Sequence, residues 1–249
     1  MNEMMHPYAE HKDPSYENFK ATCPICGALN IFNRATDLGD LGLISFRTVS
    51  CLNSKCGQKF NINGDLASPD YQMFIMQCYG LKESKQYMFC ILVLAQAFEL
   101  FFSSYLYKVL VLKPVKDIPD PQKWDDLNIL ESELYEKTEK LAYQKLRNIF
   151  LNLVTQGLSP MKPDDASSII QMIPSMCSDP SNATVDAYQD NDIRSLLHSL
   201  KNSRIANLRN KVVHRQGYRP RLDEVEKALL ETRHIIFGLD SCLRTRWQA

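Results

Sequence analysis

Glycine is scarce in this chain of 249 residues and unevenly placed: Gly27, Gly39, Gly42, Gly57 and Gly64 hold five of the nine, and beyond Tyr71 it nearly disappears. A long stretch so poor in turn residues does not read as a many-stranded β fold. Net charge is also lacking, with 29 basic residues against 29 acidic ones, so the overall balance gives no support for a nucleic-acid partner. The first thirty residues have no apolar run behind a basic start, which argues against secretion and leads to the expectation of a cytoplasmic protein with reduced cysteines. No internal repeat occurs. At 45% hydrophobic and 23% charged residues the chain is not disordered, collagenous or disulfide-dense in type.

What is present divides in two. Residues 1–68 read as a small module: a loose lead-in or short strand over 1–20, then alternating stretches such as Ile44 to Val49 and four of the eight cysteines. Residues 69–249 read as all-α, with helices expected at 70–80, 84–112, 123–157, 192–215 and 221–245. Pro160, Pro163, Pro174 and Pro180 make the connection 159–192 irregular, with a short helix around Ser167 to Met172. The run from Tyr87 to Leu112 approaches a membrane span in length, but Gln96, Glu99, Ser103, Ser104 and Lys108 interrupt it. A helix buried within a bundle is expected instead, and no membrane partner. Glu99 then needs a counter-ion such as an arginine.

Charge is distributed more tellingly than its sum suggests. Residues 113–192 hold 8 Lys/Arg against 14 Asp/Glu, a net of −6, whereas residues 193–249 hold 12 against 5, a net of +7. Either the cationic segment meets phosphate or the two segments neutralise each other within one fold.

Cys23-Pro24-Ile25-Cys26-Gly27 has the spacing of a zinc knuckle, and Cys51 and Cys56, followed by Gly57, supply a second pair. Four thiolates fill a tetrahedral shell and leave no open position for water, so structural Zn2+ is expected rather than metal-assisted hydrolysis. Cys78, Cys90, Cys177 and Cys242 read as packing residues. His6, His11, His198 and His234 read as solvated or satisfied histidines.

The most informative segment is Arg204 to His214, followed by Gly217, Tyr218 and Pro220. Ile205, Leu208 and Val212 follow helical spacing, so Asn210 and His214 share a face and Arg209 reaches the same region from a neighbouring line. A guanidinium grips phosphate, an amide orients it and an imidazole moves a proton. The plain alternative is a histidine bonded to the last helix carbonyls and an arginine in a salt bridge.

Arg209-Asn210-Lys211-Val212-Val213-His214, with Gly217, Tyr218, Pro220 and a helix beginning near Leu222, resembles the HEPN superfamily: an arginine, a polar neighbour and a histidine after four to six positions. The resemblance is recognisable over about 204–237 and extends in architecture over 71–245. It implies a mainly α, HEPN-like helical bundle behind the β-rich zinc ribbon. It also implies a homodimer whose two motif helices form one RNA-cleaving cleft. On this chain Arg209 would bind phosphate, Asn210 would orient it, His214 would act as acid/base, and Glu99 would match an acidic position near the motif. The implied activity is metal-independent endonuclease cleavage of RNA by attack of the 2′-hydroxyl, leaving a 2′,3′-cyclic phosphate. A toxin or antiviral role, with a regulatory or antitoxin partner, comes with it. The alternative is a non-catalytic module that binds RNA or a protein. A zinc-ribbon transcriptional regulator is weaker, because no recognition helix is apparent.

Overall fold

The computed structural model describes residues 18–33, 37–38, 46–63, 70–119, 122–215 and 217–243. His6, His11, Gly39, Gly42, Gly64 and the lead-in before Asn18 lie outside the described residues. The chain forms two compact units, Met1–Met76 and Gln77–Ala249, and is mainly helical with a small β region near its start.

The small unit contains two antiparallel hairpins in separate two-stranded sheets. Strand β1 (Asn18–Thr22) pairs with β2 (Leu29–Asn33), and β3 (Phe46–Ser50) pairs with β4 (Lys59–Asn63). Phe60 and Ile62 are buried between exposed Lys59 and Asn61, the period of two that a half-buried strand requires. Phe32, Leu38, Val49, Phe60 and Ile62 form the core together with Cys23 and Cys51. An isolated hairpin is marginal in water, and a core this small needs a staple.

In sequence order the helices are α1 (Asp70–Glu83), α2 (Tyr87–Tyr107), α3 (Gln122–Thr138), α4 (Tyr143–Thr155) and α5 (Pro163–Met176), then α6 (Asn182–Asp186), α7 (Asn191–Lys201), α8 (Ile205–His214) and α9 (Leu222–Cys242). Helix α2 is apolar nearly all round and packs against α4, α8 and α9. By length and composition Tyr87–Leu112 is long and apolar enough to cross a membrane. In this fold it buries Ile91, Leu94, Phe98, Phe101, Phe102 and Leu106. Phe102 lies 5.3 Å from Phe150 of α4, and Phe98 meets Tyr143 edge-on at 5.9 Å. A π-helical turn, Lys108–Leu112, follows α2 and brings Lys108 under the influence of buried Asp240 on α9. Burial lowers the Lys108 pKa and the Asp240 charge opposes that shift. Cys78 and Cys90 are fully buried, each thiol directed at the other residue's carbonyl, 4.0 and 3.7 Å away.

Two expected helices are each broken into two. The helix expected over 123–157 stops at Thr138, whose hydroxyl bonds back to the Leu134 carbonyl, and resumes at Tyr143 after an extended Ala142. The helix expected over 192–215 stops at Lys201, and Asn202 to Arg204 reset its direction before Ile205. The 159–192 connection is more ordered than expected, because Pro163 fits the first turn of α5 and Ser181 caps α6 through the Thr184 N–H at 3.1 Å. Among the packing cysteines, Cys177 is only half-buried and Cys242 is exposed in the last turn of α9. His198 is paired with Asp186 at 2.7 Å, and His234 is exposed.

Phe102 is fully buried in the α2–α4 aromatic contact, so Phe102→Ala is expected to cost about 3–5 kcal/mol of unfolding free energy in urea titration. Tyr135→Ala, at a site 65% exposed, should stay within about 0.5 kcal/mol of wild type. Equal losses at the two positions would contradict the central place given to α2.

Candidate functional site

Two groups of side chains have the makings of sites, one in each unit. In the small unit each hairpin turn is a knuckle. Cys23 N–H bonds to the Ala28 carbonyl and Gly27 N–H to the Cys23 carbonyl, both at 2.9 Å; Cys51 N–H and Gly57 N–H close the second turn on Gln58 and Asn53. Gly27 and Gly57 take φ of +72° and +58°, the left-handed conformation that lets the chain fold back behind each pair. The four sulfurs of Cys23, Cys26, Cys51 and Cys56 lie within 4.8 Å of one another, with Cys23 to Cys56 at 4.0 Å and Cys26 to Cys51 at 3.7 Å. A tetrahedral thiolate shell with bonds of about 2.3 Å has sulfur–sulfur edges of about 3.8 Å, so the cluster fits and can hold a metal ion. Among the described residues it is the one such group of three or more ligating side chains.

The electrostatics agree with that use. Desolvation opposes ionisation of Cys23, but the backbone N–H groups of Cys26 and Ile25 and the thiols of Cys26 and Cys51 pull its pKa down to about 7. Burial and the neighbouring sulfurs push Cys51 up. Cys56 accepts the Gln58 N–H, which lowers its pKa, yet desolvation and the other three sulfurs hold it at about 11. Four thiolates this close repel one another, and a bound cation relieves that repulsion.

Asn30 was not singled out from sequence. It is 1% exposed, donates to the Ala28 carbonyl at 2.8 Å and accepts the Leu52 N–H at 2.6 Å, joining the two knuckles behind the sulfurs. Asn53 Nδ2 approaches Cys26 Sγ at 3.8 Å. A polar residue inside an otherwise apolar strand was the available signal.

In the helical unit, α8 is anchored at its start by Glu231 of α9, which accepts the Arg204 N–H at 2.9 Å and its guanidinium at 2.6 Å. Ile205, Leu208 and Val212 are buried, which fixes the helix rotation. Asn210 and His214 are consequently exposed on one face, while Arg209 is half-buried to the side and its Nη1 is 3.5 Å from Asn210 Oδ1. Glu99 of α2 lies close enough to feel the Arg209 charge. Burial raises its pKa; Arg209 and the Tyr143 N–H, which it accepts at the start of α4, pull in the opposite direction without cancelling the rise. The structure thus brings Glu99, Arg209 and Asn210 together. His214 is one turn further along α8, and among the described residues no side chain orients its ring. Lys211 of α8 lies 5.6 Å from the Tyr218 ring centroid and the Tyr218 hydroxyl donates to Glu224 at 3.0 Å, which fastens the segment after α8.

No protein-family model, curated protein or solved structure matches this chain.

The knuckles predict one metal ion per chain. Elemental analysis should find about one equivalent, and Cys51→Ser should lose it together with the hairpin order seen by circular dichroism or NMR; a metal-free protein with intact hairpins would contradict the site. Glu99 gives a pH prediction. A carboxyl whose folded-state pKa is raised stabilises the fold while protonated, and that contribution is lost as pH climbs through the raised value. Glu99→Gln keeps an acceptor for the Tyr143 N–H, so in thermal melts it should gain on wild type as pH rises above the ordinary carboxylate value of 4.5. A difference that does not change with pH would contradict the assignment.

Proposed function

We propose that the helical unit is a HEPN-type endoribonuclease cleaving single-stranded RNA without a catalytic metal, and that the metal of the small unit is structural zinc. The observation that carries this reading is the surface of α8: Asn210 and His214 exposed on one face, with Arg209 beside them and Glu99 behind it. The 2′-oxygen attacks the adjacent phosphorus, forming a cyclic phosphate as the bond to the 5′-oxygen breaks. Arg209 stabilises the charge on the phosphoryl oxygens, Asn210 orients Arg209 or the phosphate, and His214 either takes the 2′-hydroxyl proton or supplies one to the leaving oxygen. Glu99 positions Arg209.

His214 and Asn210 lie open to solvent on a single chain, and a reaction of this kind is favoured where water is excluded. A homodimer apposing two α8 helices would close the cleft, and two-fold symmetry is the usual solution for such a pair. A toxin or antiviral role in the cytoplasm, restrained by a regulatory or antitoxin partner, fits this chemistry.

One observation favours the second reading, a module that binds RNA or protein without cutting it: nothing among the described residues holds the His214 imidazole in place, as an orienting group does in most acid/base pairs. Cleavage assays separate the two. Wild type should cut single-stranded RNA in EDTA brief enough to spare the structural metal; His214→Ala should lose about 10²- to 10⁴-fold in rate, with a comparable loss for Arg209→Ala and a smaller one for Asn210→Ala. Light scattering should give a dimer. Full activity in folded His214→Ala would overturn the reading.

A further inference from the structure

The two oppositely charged segments neutralise each other only in part. Across the two segments, Asp179 takes the Lys201 ammonium at 3.4 Å and Asp186 takes His198, while Asp179 also takes Arg147 of its own segment at 2.8 Å. Glu231 engages Arg204, and the two carboxylates in the first turn of α9 are committed as well: Asp223 to Arg221 and Lys227, Glu224 to the Arg221 N–H and the Tyr218 hydroxyl. Of the other cations in the basic segment, Arg194 is held by the Asp186 and Tyr188 carbonyls and by Asn191, and Arg233 by the Tyr79 hydroxyl. Among the described residues, Lys211, Arg215 and Arg219 have no carboxylate partner, and the latter two are exposed.

Their positions are linked. Arg215 N–H bonds to the Lys211 carbonyl at 3.0 Å and Tyr218 N–H to the Arg215 carbonyl at 3.2 Å; the Arg219 guanidinium bonds to the Tyr218 carbonyl at 3.0 Å, and the Lys211 ammonium lies over the Tyr218 ring. The three cations therefore sit on one short, fastened segment that spans His214, from the last turn of α8 to Arg219. Like charges gathered in this way repel one another, and the C-terminal helix dipole of α8 offsets that in part. A polyanion would supply the missing charge.

We propose that Lys211, Arg215 and Arg219 form a track for the phosphodiester backbone of single-stranded RNA outside the reacting phosphate. This rests on the ribonuclease reading of α8 and extends it: the substrate is a strand several nucleotides long, gripped through phosphates rather than bases, and sequence preference does not come from this segment.

Binding of a labelled, unstructured RNA of about 20 nucleotides to the full-length His214→Ala protein, followed by fluorescence anisotropy, provides the test. Removing two phosphate contacts by Arg215→Gln/Arg219→Gln should reduce the slope of log affinity against log salt by about 1.4, so that between about 50 and 200 mM salt the parent loses about sevenfold more affinity than the variant. Arg215→Lys/Arg219→Lys should keep the parental slope, because the charge is kept, and melting curves verify that each variant is folded. An unchanged slope in the folded Gln variant would overturn the track, and the cleavage reading would stand if histidine-intact protein still cuts RNA. A reduced slope with no cleavage by histidine-intact protein would support the track and remove the nuclease reading. Tighter binding of a polyglutamate of matched charge than of RNA would overturn the RNA assignment in favour of an acidic protein.

Discussion

A carboxylate half-buried in an apolar helix has to be met by donors, and Glu99 of α2 faces them from α4 and α8. Helix α2 is the element around which α4, α8 and α9 pack, and Glu99 interrupts its otherwise apolar surface. Its charge is answered from two directions: the first N–H of α4, through Tyr143, and the guanidinium of α8, through Arg209. Neither fully offsets its desolvation, which is why its pKa stays high. The cost falls on stability, and the Arg209 guanidinium, on the side of α8 next to Asn210, offsets part of it.

The same contact explains part of what the sequence did not disclose. The α2 core was legible because a long apolar run interrupted by Glu99 and Lys108 fits the inside of a helical bundle, and the start of α9 because Gly217 and Pro220 end the preceding helix before Leu222. The break between α3 and α4 was not legible. No glycine or proline marks Glu139 to Ala142, and the new helix starts where a carboxylate from a distant element caps it. The break at Asn202 to Arg204 has the same character, since Glu231, 27 residues away, holds the start of α8. Local propensity cannot report such long-range caps.

For the sites the division is similar. The cluster of Cys23, Cys26, Cys51 and Cys56, which can hold a metal ion, was readable from two cysteine pairs each followed by glycine, because ligand spacing and left-handed turns are local properties. Asn30, which joins the knuckles through Leu52, acts across 22 residues and became apparent only in three dimensions. The Arg209, Asn210 and His214 arrangement was readable as a helical face, and its link to Glu99 was anticipated from the need of a buried acid for a cation. The Arg147–Asp179–Lys201 knot, with Arg147 only 6% exposed, was missed because charged residues on a polar-looking helix carry no signal of burial. Its one carboxylate is shared by two cations, one from each of the oppositely charged segments.

The ends of the cut RNA report directly on the chemistry proposed for α8. Mass spectrometry of a defined single-stranded RNA after treatment with wild-type protein should find a 2′,3′-cyclic phosphate on one fragment and a 5′-hydroxyl on the other, with no cut where a single 2′-O-methyl group blocks the nucleophile. A 5′-phosphate, or cleavage that proceeds across the methylated position, would show that the 2′-oxygen is not the nucleophile and would contradict the roles given to Arg209 and His214.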